Sequence, residues 1–334
     1  MFTPSLAYFV DSRQILISRL RFTGLTSACL YFCQKISPLS DYKSVLPQDV
    51  SIPEFHGLLL GSVNPRPIAF VATSNDEGEV NLAPFSFFNV FGANPPVLIF
   101  SPARRGRDNT TKHTYENLKK GGECTVNIVS HDIVHQMVLA STEYPDGVNE
   151  FAKAGFTEEK SDLVSVPRVA ESPSQMECRV KEIINYGELA GGGNLIIVEV
   201  LKIHVKNDIL DENGKIDPFK IDTVGRCGGL WYTRPSDSLF SIENPKGKSN
   251  IGFDGLPSHI LESDLLTGND LAQLAKLAQL PSQEEVQTYL DERPEIQEIL
   301  SQNDSKNVLH HLAEKMISFG DVEDALLTLM VFGL

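Results

Sequence analysis

From Asn64 to Ser101 the chain reads NPRPIAFVATSNDEGEVNLAPFSFFNVFGANPPVLIFS, and from Pro102 to Lys120 it continues PARRGRDNTTKHTYENLKK. Ile68 to Thr73 is a short β-branched and aromatic run, the composition of a buried strand. Asn75-Asp76-Glu77-Gly78 follows as a hairpin turn, with Gly78 able to take a positive φ. Val80 to Asn89 resumes an extended texture. Asn94-Pro95-Pro96 punctuates it, and Val97 to Ser101 is a second buried-strand run. Thr111 to Lys120 has a helical pattern with Leu118 as its clearest apolar anchor.

Working outward, the preceding residues LPQDVSIPEFHGLLLGSV also read as strands between turns. Downstream, Glu123 to Val129 reads as a strand and His131 to Ser141 as a helix. Val148 to Ala154 is a short helix ended by Gly155. Gln175 to Ile184 alternates like a strand, and Asn194 to Val205 is the strongest strand pattern in the chain. Gly191-Gly192-Gly193 and Asp211-Glu212-Asn213-Gly214 are turns. Strands dominate, at irregular separations and with helices inserted. That pattern predicts a mainly β barrel with inserted helices rather than a βαβ sheet.

Both ends differ in texture from this region. The first 35 residues hold Arg13, Arg19, Arg21 and Lys35 against Asp11 alone, a net charge of +3. Such a segment suits an organelle transit peptide, and equally an extension outside the fold. Pro245-Lys246-Gly247-Lys248 reads as a linker. From Leu256 the pattern is helical, with Leu271, Leu274, Leu277 and Leu280 near the helical period. Thr267 or Asn269 is a candidate cap for that helix. Pro281-Ser282 opens another, with Glu284 and Glu285 in its first turn. Asp321 to Met330 is a third. This region carries 4 basic and 14 acidic residues.

The 334 residues are 41% hydrophobic, enough for a sizeable core, and their formal net charge is -15. Duplex nucleic acid and anionic membranes draw their affinity from Lys and Arg, so neither is an expected partner. No apolar run reaches the roughly 20 residues needed to span a bilayer. The five cysteines are odd in number and show no disulfide spacing, which predicts reduced thiols and a cytoplasmic protein. There is no internal repeat.

The block NPRPIAFVAT, NLAPFSFFN, NPPVLIFS and RDNTTKHTYEN closely resembles the flavin reductase-like, FMN-binding split-barrel family, with all four elements in order. The match continues through GVNEFAKAGFT, PRVAESP and RCGGLWY, so it covers about residues 40 to 235. His113 departs from the Asp that often follows the lysine in that family. The resemblance implies an FMN-binding split β-barrel, Greek-key-like, and the helical pattern after it a small α-helical C-terminal extension. With the shifts in composition at both ends, the chain divides into an N-terminal extension (1–38), the flavin-binding domain (39–245) and an acidic helical region (246–334). The resemblance also implies a homodimer, FMN as cofactor and NADH or NADPH as co-substrate.

The residues present suit FMN, which has a dianionic phosphate, a polar ribityl chain and a flat ring with polar edges. Arg66 and Lys112 supply positive charge, while Ser101, Asn109, Thr110 and Thr111 supply neutral donors. A helix start after Lys112 adds backbone N–H groups that favour an anion. Ala83, Pro84, Phe85, Ser86 and Asn89 offer backbone groups and apolar contact for the ring. Pro84 donates no ladder hydrogen bond, so the strand is locally open there. Phe85, Phe87, Phe88 and Phe91 suit packing as well as ring contact. Gly228-Gly229 with Trp231 and Tyr232 suits either a plain turn or a strand end meeting a partner's flavin.

No catalytic dyad and no metal ligand set stands out. His131-Asp132-Ile133-Val134-His135 resembles the zinc motif HExxH but lacks its Glu and an evident third ligand. The glycines at 187–193 and 225–229 do not fit a dinucleotide fingerprint. The expected function is an FMN-dependent, NAD(P)H-linked flavin reductase, in which the cofactor carries the chemistry. An FMN-binding electron carrier, another flavin-linked oxygenase component and a non-enzymatic scaffold are the alternatives.

Overall fold

β1 (Ala69–Ser74) shows why the sheet forms where it does. Its residues alternate between two apolar clusters: Ala69 and Val71 enter one, Phe70 and Ala72 the other. Its first five residues are buried, so both faces of the strand are covered. The computed structural model describes residues 42–245 and 249–333. They form two units, Lys43–Ser241 and a second beginning at Ile242.

In the first unit, β2 (Val80–Phe85) returns antiparallel along β1 from Ser74↔Val80 to Ala69↔Phe85. The turn between them places Gly78 at φ 82°. The Asn75 Oδ1 accepts the N–H groups of Glu77 and Glu79 at 3.1 and 2.8 Å. Five further strands complete the sheet: β3 (Phe88–Ala93), β4 (Pro96–Phe100), β5 (Glu123–Ile128), β8 (Ser174–Tyr186) and β9 (Gly193–Val205). Their spatial order is β2-β1-β5-β8-β9-β4-β3, and every neighbouring pair is antiparallel. Two-residue strands β6 (Glu158–Glu159) with β7 (Arg168–Val169), and β10 (Gly225–Arg226) with β11 (Tyr232–Thr233), form two small ribbons.

β2 and β3 are opposite ends of this order, yet only Ser86 and Phe87 separate them in the chain. Such a link spans at most about 10 Å, so the sheet must curl until its edges approach. It curls without closing. One cluster, including Val71, Phe85, Phe100, Val126, Ile196 and Val198, fills the inner side. The other packs Phe70, Ala72 and Leu82 against Met137 and Ala140 of α3 (Val134–Ala140) and Phe151 of α4 (Glu150–Ala154). α2 (His113–Leu118) buries Thr114 and Leu118.

Two expectations are corrected. The segment expected to be extended before Asn64 contains α1 (Ile52–Ser62). Ser51 accepts the Glu54 N–H at its start and proline sits in the first turn, signals that outweigh the apolar run. The extended stretch from Val80 to Asn89 breaks at Ser86-Phe87 into two strands at opposite sheet edges.

The second unit is helical: α5 (Ser258–Leu261), α6 (Gly268–Ala275), α7 (Gln283–Asp291), α8 (Pro294–Leu300), α9 (Ser305–Phe319) and α10 (Val322–Met330). Thr267 with Asp270 and Ser282 with Glu285 form reciprocal capping boxes at α6 and α7. Leu271 and Leu274 are buried, whereas α6 ends at Ala275 and Leu277 and Leu280 pack beyond it. The basic segment 1–35 and residues 246–248 of the expected linker lie outside the described residues. Among the described residues, no helix is long and apolar enough to cross a membrane.

Candidate functional site

The open edge of β2, its link to β3 and the start of α2 enclose a cleft of about 280 Å³. One wall is Asn81, Ala83, Pro84, Phe85, Ser86 and Phe87. Ser101, Ala103 and Arg105 follow from the end of β4, and Lys112, His113 and Thr114 from the start of α2. The segment from Ala140 to Tyr144, with Glu150, forms the far side.

Hydrogen bonds between distant segments hold these walls. The Asn81 amide donates to Thr114 Oγ1 at 3.0 Å. The Leu82 N–H donates to the buried Glu150 carboxylate at 2.9 Å. The Ser101 N–H donates to the Phe87 carbonyl at 2.9 Å, and Ser101 Oγ accepts the Asn194 N–H at 3.1 Å. Burial pushes the Glu150 carboxyl above its usual range, against the opposing effects of that backbone donation and of His113.

Of the residues expected from sequence, Ala83, Pro84, Phe85, Ser86, Ser101 and Lys112 line the cleft. Arg66, Asn89, Asn109, Thr110 and Thr111 are not among its lining residues. Arg66 is buried, and its Nη1 donates to the carbonyls of Leu60 and Val63 at 2.9 and 2.6 Å, its Nη2 to that of Cys227 at 3.2 Å. It thereby clamps the C-terminal end of α1, and its Nε donates to the Oγ of the cleft residue Ser86 at 3.5 Å. The Asn89 side chain accepts the adjacent Val90 N–H. Asn109 adopts φ 61° and joins Arg104 to the Glu188 carbonyl. Thr110 bonds Asp108 and Arg105, and Thr111 bonds Glu116 and Arg105. These three residues build the loop that presents Arg105.

Sequence reasoning missed Arg105 and Glu143. The Arg104-Arg105-Gly106-Arg107 run beside a strand end was the available signal for the first; Glu143 carries no local signal. The Glu143 carboxylate lies 3.1 Å from Arg105 Nε, 3.1 Å from Arg107 Nη1 and 3.4 Å from Lys112 Nζ. Burial opposes its ionisation, but Lys112, Arg105 and Arg107 prevail and hold its carboxyl below the usual range. Arg105 and Lys112 of the cleft wall, with the exposed Arg107 beside them, therefore converge on one carboxylate.

Among the described residues, two other groups bring together residue types that bind metals: His131 with Asp132 and Asp222, and Asp162 with Glu177 and His204. Both are occupied by protein donors. Asp222 takes Arg234 and Ser236, while Glu177 takes the N–H groups of Asp162, Leu163 and Val164 together with His204. His135 belongs to neither group, so the HDIVH motif brings no histidine pair to a shared site.

An antiparallel curled sheet with a cleft at its edge is a scaffold shared by many functions, so the class of this protein rests on its relatives. Residues 60–233 match the family model of the flavin reductase like domain, and the chain belongs to that family. An uncharacterized protein of Aquifex aeolicus (strain VF5) is 41% identical over 177 residues, which are 53% of this chain and 88% of that protein. The nitrilotriacetate monooxygenase component B of Bacillus cereus is 30% identical with a TM-score of 0.56, covering 61% of this chain and 98% of its own. A Shewanella frigidimarina protein described as a flavin reductase with split barrel domain is 25% identical with a TM-score of 0.51, covering 59% of this chain and 95% of its own.

Proposed function

We propose that this chain is an FMN-dependent oxidoreductase, an NAD(P)H-linked flavin reductase of the split-barrel type. The observation that carries the reading is the pairing, in one cleft, of a polar-edged strand with two cations. Ala83 to Phe85 present the end of edge strand β2, where Pro84 has no N–H, and Ser86-Phe87 continue the wall as the link to β3. Arg105 and Lys112 stand at the other end, where a phosphate would be held. Thr114 and Ser101 add hydroxyls between them. This donor set fits FMN. Arg105 takes here the role that sequence alone assigned to Arg66.

Bound FMN would supply hydride acceptance from NADH or NADPH and onward electron transfer. The protein's own tasks are to hold the phosphate with Arg105 and Lys112, seat the ring along β2, and leave one ring face open to the nicotinamide. No side chain needs to act as nucleophile. The reading confines this chemistry to residues 39–245 and places the protein in the cytoplasm.

A homodimer belongs to the same proposal. Val90 and Phe91 on edge strand β3 are 65% and 64% exposed, and Leu230 and Trp231 are exposed further still. An open strand edge bearing large apolar side chains is a surface that a second subunit would cover.

The test is the visible spectrum of the protein with FMN, recorded before and after anaerobic NADH or NADPH. Bound-flavin bands that bleach are expected. Bands that persist would make the protein a carrier reduced by another protein, and no flavin binding would overturn the site.

A further inference from the structure

We propose that Glu143 is an affinity- and specificity-determining residue of the cleft: its carboxylate occupies the seat of the cofactor's phosphate and leaves it when a phosphorylated flavin binds. The inference rests on reading the cleft as a flavin site.

Three cations from two loop positions and a helix start converge on this one side chain. Arg105 Nε and Lys112 Nζ approach one carboxylate oxygen, and Arg107 Nη1 approaches the other. Arg105 is the most buried of the three, with 14% of its side chain exposed, and is oriented by Thr110 Oγ1 and the Thr111 carbonyl. Its orientation therefore does not depend on Glu143. Asp108 partly offsets Arg107. Arg105, Arg107 and Lys112 against Asp108 leave a net charge of +2, which matches a phosphate monoester dianion. With Glu143 in place the charge falls to +1, so a dianion and this carboxylate compete for the same donors.

Glu143 is able to leave. Its side chain is 41% exposed, so water can solvate it once it is displaced. It sits in the connection between α3 and α4, where Gly147 takes φ 78°. Neutral flavin lacking a phosphate draws no benefit from the cations, so the competition acts on phosphorylated flavin alone. Glu143 thereby lowers affinity for FMN and leaves affinity for riboflavin unchanged.

The test is a titration of the flavin-free full chain with FMN and with riboflavin, comparing the natural protein with Glu143→Gln by quenching of flavin fluorescence. The variant is expected to bind FMN about tenfold tighter, the scale of a few exposed ion pairs, with riboflavin unaffected. Unchanged or weaker FMN binding by the variant would overturn the inference, because Glu143 would then brace the loop. Equal tightening of both flavins would overturn it too, because the carboxylate would then only block space. If the natural protein binds neither flavin, the cofactor reading itself fails and the inference falls with it.

Discussion

Glu150 on α4 accepts the backbone N–H of Leu82 on β2 at 2.9 Å, so an inserted helix closes a hydrogen bond on the open edge of the sheet. Glu150 is 4% exposed. Its removal would leave a buried edge donor unsatisfied beside the cleft. Glu150→Ala is expected to cost about 1–3 kcal/mol of unfolding free energy in urea titration. A cost near zero would show that water replaces the carboxylate.

Arg66 and Lys112 should separate on two axes. Arg66 is buried and tied to three backbone carbonyls, so Arg66→Ala is expected to destabilise the first unit by about 2–4 kcal/mol. Lys112 is one third exposed and faces the cleft. Lys112→Ala should leave stability nearly unchanged and weaken FMN binding about tenfold. Thermal denaturation and flavin titration of both variants check this. An Arg66 variant that folds normally but loses FMN would return Arg66 to the cofactor site.

Acid should act on the two units in different pH windows. His310 on α9 is buried, with Nδ1 2.8 Å from Ser263 Oγ and Nε2 without a partner. Burial, with Lys306 and His259 nearby, lowers its pKa to about 4. The unfolded chain binds that proton first, so the second unit loses stability as the pH falls from about 6.5 to 4. Glu177 is held at about 2, its burial outweighed by the N–H groups of Asp162, Leu163 and Val164 and by His204. Its contribution to the first unit is full above pH 4.5 or so and lost as the pH falls to about 2. Segment-resolved hydrogen exchange should show the second unit opening first, and His310→Leu should remove that early step.

The exposed pair Val90 and Phe91 predicts the assembly. Light scattering is expected to give a dimer mass for the natural protein and a monomer mass for Phe91→Glu, because a charge buried against a second copy has no partner there. A monomer in both cases would remove the dimer from the proposal.

Much of the fold was legible in the chain, because its signals are local. β1, β5, β8 and β9 follow runs of β-branched residues between turn residues, and Gly78 and Gly155 take the positive φ their positions require. Thr267 and Ser282 cap the helices they precede. α1 was misread because a leucine run after a capping serine resembles a strand when its burial is unknown. About half of the expected cofactor residues meet in the cleft: Ala83, Pro84 and Phe85 on β2, Ser86 just after it, Ser101 and Lys112.

By itself the sequence determined most of the strands, the turns, the helical tail and the family, since these depend on side-chain period, turn chemistry and motif order over a few tens of residues. Only the tertiary structure decided which charges face the cleft. Arg66 and Arg105 are equivalent as letters. One is buried behind the cleft wall, bonded to the carbonyls of Leu60, Val63 and Cys227 and to the Ser86 hydroxyl, while the other is held by its own loop and left facing Glu143. That difference arises from tertiary packing, which brings residues 38 apart in the chain within hydrogen-bond distance, and no local pattern encodes it.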